Sequence, residues 1–143
     1  MSAALDGIRV GAELVSPPYL LDAAAAEAYH DGIEQPPRRR PPRGIHDDDD
    51  AARQAGFAAP IAGGAQTIAV IAQFLADNFG MRFMRGGHIE VSLTKPVFFG
   101  DTLTSHAKIV SVNEERAELQ IRVANQRGED VLLGTAAIRT NTA

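Results

Sequence analysis

The spacing of apolar residues divides the chain into a helix-rich first half and a strand-rich second half. From Gly87 onward apolar and polar residues alternate, which is the period of strands with one buried face. We predict antiparallel strands over 88–94, 102–112, 117–125 and 131–139. Polar turn residues at 113–115 and 125–129 join the last of these strands.

A long helix is predicted between Pro60 and Gly80, where apolar residues follow helical spacing. The stripe consists of Ile61, Ala65, Ile68, Ala69, Val70, Ile71, Ala72, Phe74, Leu75 and Ala76. Because it is apolar on most sides, we expect this helix to be buried in the centre of its domain. A buried helix wrapped by an antiparallel sheet is an α+β architecture.

The N-terminal part gives weaker signals. We predict a short strand over 8–15, a helix start at 16–18 with its prolines in the first turn, and a helix over 22–30 that ends near Gly32. Residues 34–44 hold prolines and arginines that favour an extended, solvent-facing loop. The carboxylates at 47–50 are typical of a helix N-terminus, where they cap free amides.

Length and composition indicate the class of protein. We interpret the 143 residues as a single domain, 1–143, and the absence of cysteine excludes disulfides, thiolate metal sites and a cysteine nucleophile. A net charge of -4 and the lack of tryptophan disfavour nucleic-acid binding. We see no signal peptide, and the longest apolar stretch, 68–76, is too short to cross a membrane. We therefore expect a cytoplasmic protein without membrane contact.

Two segments together carry a family resemblance. The first comprises Gly44-Ile45-His46-Asp47-Asp48, Ala52, Gly56-Phe57 and Ile61-Ala62-Gly63-Gly64. The second is Lys95-Pro96-Val97-Phe98-Phe99-Gly100-Asp101-Thr102-Leu103. In this order and spacing they resemble the signature of the MaoC-like hydratases and dehydratases.

The resemblance implies a hot-dog fold, in which an antiparallel sheet wraps a long central helix. It also implies a dimer, most simply a homodimer, whose clefts bind an acyl thioester carried on coenzyme A or acyl carrier protein. Members commonly add water to the α,β double bond of the acyl group or remove it. The chemistry it implies needs no cofactor beyond that carrier.

The family's catalytic His corresponds to His46, and the glycine whose amide stabilises the enolate oxygen corresponds to Gly64. The family's catalytic Asp falls on Pro41, which cannot transfer a proton. Our candidate catalytic residues are His46, Gly64 and Asp48. Our candidate substrate-binding residues are Arg43, Gly63 and Gln66.

Three interpretations remain open for the missing Asp. Another carboxylate can replace it, and the candidates are Asp31, Glu34 and Asp48. Alternatively His46 works alone, with Gly64 and Arg43 stabilising negative charge, in an isomerisation, elimination or ring closure. In the third, the chain is a non-catalytic subunit or acyl-binding partner of a heterodimer. A hot-dog thioesterase is disfavoured because residues 63–66 contain no carboxylate.

The remaining candidates have a simpler structural explanation. Arg38-Arg39-Arg40 and Arg43 either keep a proline-rich loop solvated or bind the phosphates of coenzyme A or an acidic carrier protein. His88 and His106 fit ordinary strand positions, and His30 fits a helix C-terminus. We predict no metal site, since no ligand spacing is present.

Overall fold

The computed structural model describes residues 8–26, 28 and 44–141. Its strands are β1 (Glu13–Val15), β2 (Tyr19–Leu21), β3 (His88–Leu93), β4 (Asp101–Val112), β5 (Arg116–Ala124) and β6 (Asp130–Arg139). Its helices are α1 (Asp49–Gln54), α2 (Gly64–Phe79) and α3 (Met81–Met84). Residues 23–26 are also helical, and the Asp22 carboxylate accepts the Ala25 N–H at 2.8 Å.

The strands form an antiparallel sheet in the order β1-β4-β5-β6-β3, with β2 paired to a second part of β4. Helix α2 packs against one face of this sheet, and the core between them is apolar. It includes Ile71, Phe74 and Leu75 of α2 and Leu103, Ile109, Leu119, Ile121, Val131 and Ile138 of the strands. The α+β architecture predicted from the sequence is confirmed.

The strands of the second half lie within a residue of their predicted bounds, because their apolar alternation matches a sheet with one buried face. Two N-terminal predictions are wrong. The strand predicted over 8–15 is reduced to Glu13–Val15, because residues 10–11 turn and the Gly11 amide bonds to the Ile109 carbonyl at 2.8 Å. Residues 16–18 do not start a helix, because Ser16 is hydrogen-bonded to Ser105 through both its N–H and its Oγ.

Helix α2 is shorter than its prediction and less enclosed. Residues 60–63 are extended, and Ile61 pairs with Phe98 as an isolated bridge. Ala65, Ala69 and Gln73 are exposed, so the expectation of burial on most sides is wrong for that face. The reason is that the sheet covers the helix from one side only. None of the described helices has the length and apolar character needed to span a membrane.

Gly134 generates the first prediction, because the paired strand β3 approaches it closely. A Cβ built on Gly134 would overlap the Glu90 carbonyl oxygen and the Val91 backbone, which lie in the paired strand. We expect Gly134→Ala to lower the free energy of unfolding by about 1–3 kcal/mol, the usual range for overpacking. Chemical denaturation measures this. Gly44→Ala is the control, since its Cβ would meet nothing within 4 Å, and equal losses in both variants would contradict the prediction.

Candidate active site

A tight turn before α1 carries His46. The Gly44 carbonyl accepts the N–H groups of Asp47 and Asp48 at 3.1 and 2.9 Å, and the Gly44 N–H donates to Asp47 Oδ1 at 2.6 Å. These bonds close the backbone around residues 44–48. The half-buried His46 ring is therefore held on a short, well-bonded turn instead of a loose loop.

The His46 ring is oriented by one hydrogen bond. Its Nδ1 lies 2.7 Å from the Ile61 carbonyl oxygen. A carbonyl oxygen can only accept, so Nδ1 must carry the proton of this bond. In the neutral ring the other nitrogen, Nε2, then keeps its lone pair and can accept a proton.

The segment that orients His46 also leads into α2. The Ile61 N–H donates to the Ile45 carbonyl at 3.0 Å, and the Ala62 N–H donates to the Val97 carbonyl at 2.8 Å. Residues 61–62 are thereby tied on one side to the His46 turn and on the other to the segment before β4. Only Gly63 separates them from the first residue of the helix.

The start of α2 offers free backbone amides. Gly63 is the N-cap residue, with φ -63° and ψ 145°, and its carbonyl accepts the N–H groups of Gln66 and Thr67. The amide of Gly64 belongs to the first turn, where N–H groups have no acceptor inside the helix and the dipole is positive. Leu93 packs so close to Gly64 that an added Cβ would lie 2.7 Å from Leu93 Cδ1. Glycine therefore allows β3 to approach this amide.

His46 and Gly64 line the same cleft, which has a volume of about 320 Å³. Its other described lining residues are Phe57, Ile61, Ala62, Thr67, Leu93, Thr94, Lys95, Pro96 and Val97. None of these is a carboxylate. The cation of the cleft, Lys95, is paired with Glu129 at 3.3 Å, and hydrogen bonds from Asn125 and then Lys95 lower the pKa of Glu129.

The carboxylates next to His46 are used for local structure. Asp48 is the N-cap of α1, and its Oδ1 accepts the Ala51 N–H at 2.8 Å, as expected for the acidic run. Asp47 bonds to the Gly44 amide. Neither lines the cleft, and no hydrogen bond joins either side chain to His46 in the described structure. A catalytic role for Asp48 stays a prediction without a contact that supports it.

The other site candidates separate in space. Gly63 lies at the helix start without lining the cleft, and Gln66 is buried on a different flank of α2. Several candidates lie outside the described residues, so their predicted roles stay predictions. These are His30, Asp31, Glu34, Arg38, Arg39, Arg40, Pro41 and Arg43.

The sequence analysis missed Thr67, Thr94 and Lys95, which are the polar side chains of the cleft besides His46. Lys95 begins the second family-like segment, so its position there was a usable signal. Thr67 follows Gly64 by three residues and so lies on the same flank of the helix, which was also a usable signal.

The two other described histidines, His88 and His106, lie away from this cleft. His88 is exposed on β3, and His106 is half-buried on β4 beside Arg122. Burial and then the Arg122 charge lower the pKa of His106. Among the described residues, no group of three or more His, Cys, Asp or Glu side chains is placed to hold a metal ion.

Comparisons with known proteins connect this geometry to one family. The family model described as "MaoC like domain" matches residues 42–130. A MaoC-like dehydratase from Rhodospirillum rubrum is similar in structure, with a TM-score of 0.71, 27% identity and 94% of both chains covered. No curated protein sequence matches the chain.

Two further solved structures share the fold at lower identity. The R-hydratase PhaJ1 from Pseudomonas aeruginosa has a TM-score of 0.70 at 23% identity, over 91% of this chain and 80% of that one. A chain of the ChsH1-ChsH2 complex from Mycobacterium tuberculosis has a TM-score of 0.69 at 19% identity, over 93% of this chain and 98% of that one. At these identities the likeness shows the fold alone.

The cap at Asp48 generates the second prediction. Asp48→Ala removes the acceptor of the Ala51 amide, so we expect a loss of about 1 kcal/mol in the free energy of unfolding. Asp48→Ser keeps a capping oxygen and should retain most of that stability. Chemical denaturation compares the variants, with Asp49→Ala as a first-turn control. If Asp48→Ser were as unstable as Asp48→Ala, the capping role would be wrong.

Proposed function

Because the chain belongs to the MaoC-like domain family, and has its hot-dog fold, we propose that it hydrates or dehydrates an acyl thioester. The similar structures include a MaoC-like dehydratase and an R-hydratase. The observation that carries the proposal is that His46 and the free amide of Gly64 line one cleft. A base and an amide donor together suit the removal of a proton next to a carbonyl group.

His46 is the proposed base. Its Nδ1–H is engaged by the Ile61 carbonyl, which leaves Nε2 to take the α-proton of a 3-hydroxyacyl thioester. The electron pair of that C–H bond forms an enolate, and the β-hydroxyl leaves as water after it receives a proton. In hydration the same steps run in reverse: water adds to the β-carbon and gives up a proton to the group that served as the acid, and protonated His46 returns a proton to the α-carbon of the enolate.

Gly64 is the proposed donor to the thioester oxygen. Negative charge develops on this oxygen in the enolate, and an N–H at the positive end of a helix dipole stabilises it. The side chains of the cleft are mostly apolar, so the interaction is strengthened by a low local dielectric. The apolar walls also suit an acyl chain.

The acid that protonates the leaving hydroxyl is the open part of the mechanism. The described part of the cleft contains no carboxylate. Asp31 and Glu34, which lie outside the described residues, stay candidates for this proton donor, as does Asp48. His46 can also return the proton itself in a syn elimination.

The acyl group is carried, in this proposal, by coenzyme A or acyl carrier protein, and the active form is a homodimer. Strand β3 supports the dimer because it is an edge strand with β6 as its neighbour in the described sheet. Its Leu93 is 48% exposed although it lies beside the cleft. A second copy paired along this edge would cover Leu93 and close the cleft.

A non-catalytic subunit is the alternative that a specific observation favours. The missing carboxylate in the described cleft leaves the family's acid unreplaced there, and the ChsH1-ChsH2 structure is a complex of different chains. A His-only isomerase or cyclase fits the same cleft. The alternatives differ in what they predict for His46.

The third prediction concerns His46. We expect His46→Ala to lower kcat for hydration of a short enoyl-coenzyme A, or its carrier-protein equivalent, by about 10²–10⁴-fold, because the base is lost. Absorbance of the enoyl thioester follows the reaction. His106→Ala is the control, since His106 lies on β4, outside the cleft and away from the β3 edge. A His46→Ala variant with full activity would overturn the proposed mechanism, and a wild-type chain inactive on both carriers would favour the non-catalytic subunit.

The fourth prediction separates the loss of the Gly64 N–H from the effect of adding a Cβ at this position. Gly64→Pro removes the N–H, and proline is well tolerated here because Gly64 is the first helical residue and Gly63 is extended. Gly64→Ala adds a comparable Cβ against Leu93 but keeps the N–H. We expect Gly64→Pro to have a kcat about 10²–10³-fold below that of Gly64→Ala, as for loss of one oxyanion donor. Equal kcat values would exclude the amide from the reaction.

A further inference from the structure

A second and larger cavity lies on another flank of α2. It has a volume of about 730 Å³ and runs between the helix and the segment from β1 to residue 28. Its walls are mostly apolar, and we call it the α2 groove. Its lining residues are Val15, Ser16, Pro17, Pro18, Tyr19, Ala25, Ala28, Gln66, Ala69, Val70, Gln73, Phe74, Asp77, Asn78 and Ser105. None of them lines the His46 cleft.

Ser105 provides a polar group at the groove that the protein leaves unbonded. Its side chain shares the buried face of β4 with Leu103 and Ala107, so it points toward the helix layer. The residue is 1% exposed, and its Oγ has no hydrogen-bond partner. Burying a hydroxyl without a partner destabilises the folded state, so this arrangement is suited to a partner that arrives from outside the chain.

The backbone around Ser105 is already fully used. Its carbonyl accepts the Ser16 N–H and its N–H donates to Ser16 Oγ, both at 2.9 Å. These bonds fix β4 against the start of the groove wall. The Ser105 hydroxyl is thus held in place by a rigid backbone while its own hydrogen-bonding capacity remains free.

Gln66 provides a second polar group on the opposite wall. It is 5% exposed and lies on the helix flank that lines the groove. The described residues give its amide no hydrogen-bond partner. By contrast, other polar side chains of the groove have hydrogen-bond partners within α2. Gln73 donates to Asp77 at 2.7 Å, and Asn78 donates to the Phe74 carbonyl at 2.8 Å.

The charge of the groove restricts its ligand. Within the described lining the one charged side chain is Asp77, and no cation accompanies it. A carboxylate or phosphate ligand would be repelled and left unpaired. Apolar walls with a few placed polar groups are typical of sites for small, largely apolar molecules.

We propose that the α2 groove binds a neutral, mostly apolar molecule that carries a hydroxyl or carbonyl oxygen, and that Ser105 Oγ hydrogen-bonds to this oxygen. Gln66 faces the same molecule from the helix. The site is separate from the His46 cleft and does not depend on the proposed reaction. The site is lined on one side by α2, through Gln66, and on the other by β4, through Ser105.

A matched pair of probes tests the proposal. We expect 2-naphthol to bind about three- to tenfold more tightly than naphthalene, because only the naphthol can bond to Ser105. Isothermal titration gives the two affinities. In Ser105→Ala the ratio should fall toward one, whereas Ser111→Ala, at an exposed position of the same strand, should keep it. An unchanged ratio in Ser105→Ala would overturn the proposal.

A variant at Ala69 tests whether the probe binds in the α2 groove while Ser105 is left unchanged. Ala69 is exposed and lines the groove, while Ala65 is exposed on the same helix and does not line it. We expect Ala69→Phe to weaken both probes at least tenfold and Ala65→Phe to leave them unchanged. Amide chemical-shift changes on adding 2-naphthol should appear at Val70 and Ser105. Changes centred on Thr94 and Lys95 instead would place the probe in the His46 cleft and refute the site.

Discussion

The hydrogen bond between His46 Nδ1 and the Ile61 carbonyl is the interaction on which the candidate site depends. Ile61 also donates its own N–H to the Ile45 carbonyl, so the His46 turn is held at two points. Ala62 then bonds to Val97, and the helix begins after Gly63. One short extended segment therefore sets the tautomer of the histidine, the position of its turn and the start of α2.

This arrangement explains how the chain builds its candidate cleft. The core between α2 and the sheet is filled by aliphatic and aromatic side chains. The cleft forms at the N-terminal end of α2, where Leu93 of the edge strand β3 approaches the free amide of Gly64. The α2 groove forms along another flank of the helix, between α2 and the segment that runs from β1 to residue 28.

Some polar side chains near α2 are hydrogen-bonded within the protein, whereas the Ser105 hydroxyl has no hydrogen-bond partner. Asp48 and Asp47 accept hydrogen bonds in a helix cap and a turn, and neither is bonded to His46 in the described structure. Ser105 stays without a partner although it is more deeply buried. Since an unpaired buried hydroxyl is costly, the exception at Ser105 is more informative than the satisfied carboxylates.

The sequence by itself determined the strands of the second half, the long helix and the acidic cap, because these depend on local periodicity and on helix-end chemistry. A family-like motif in the sequence also made His46 and Gly64 candidate site residues, and both line one cleft. Only the tertiary structure decided the N-terminal segment, where bonds from Ser16 to Ser105 replace a helix start with an extended chain. The place of Ser105 in the groove was likewise decided by the tertiary structure, since contacts between residues distant in sequence leave no periodic signal.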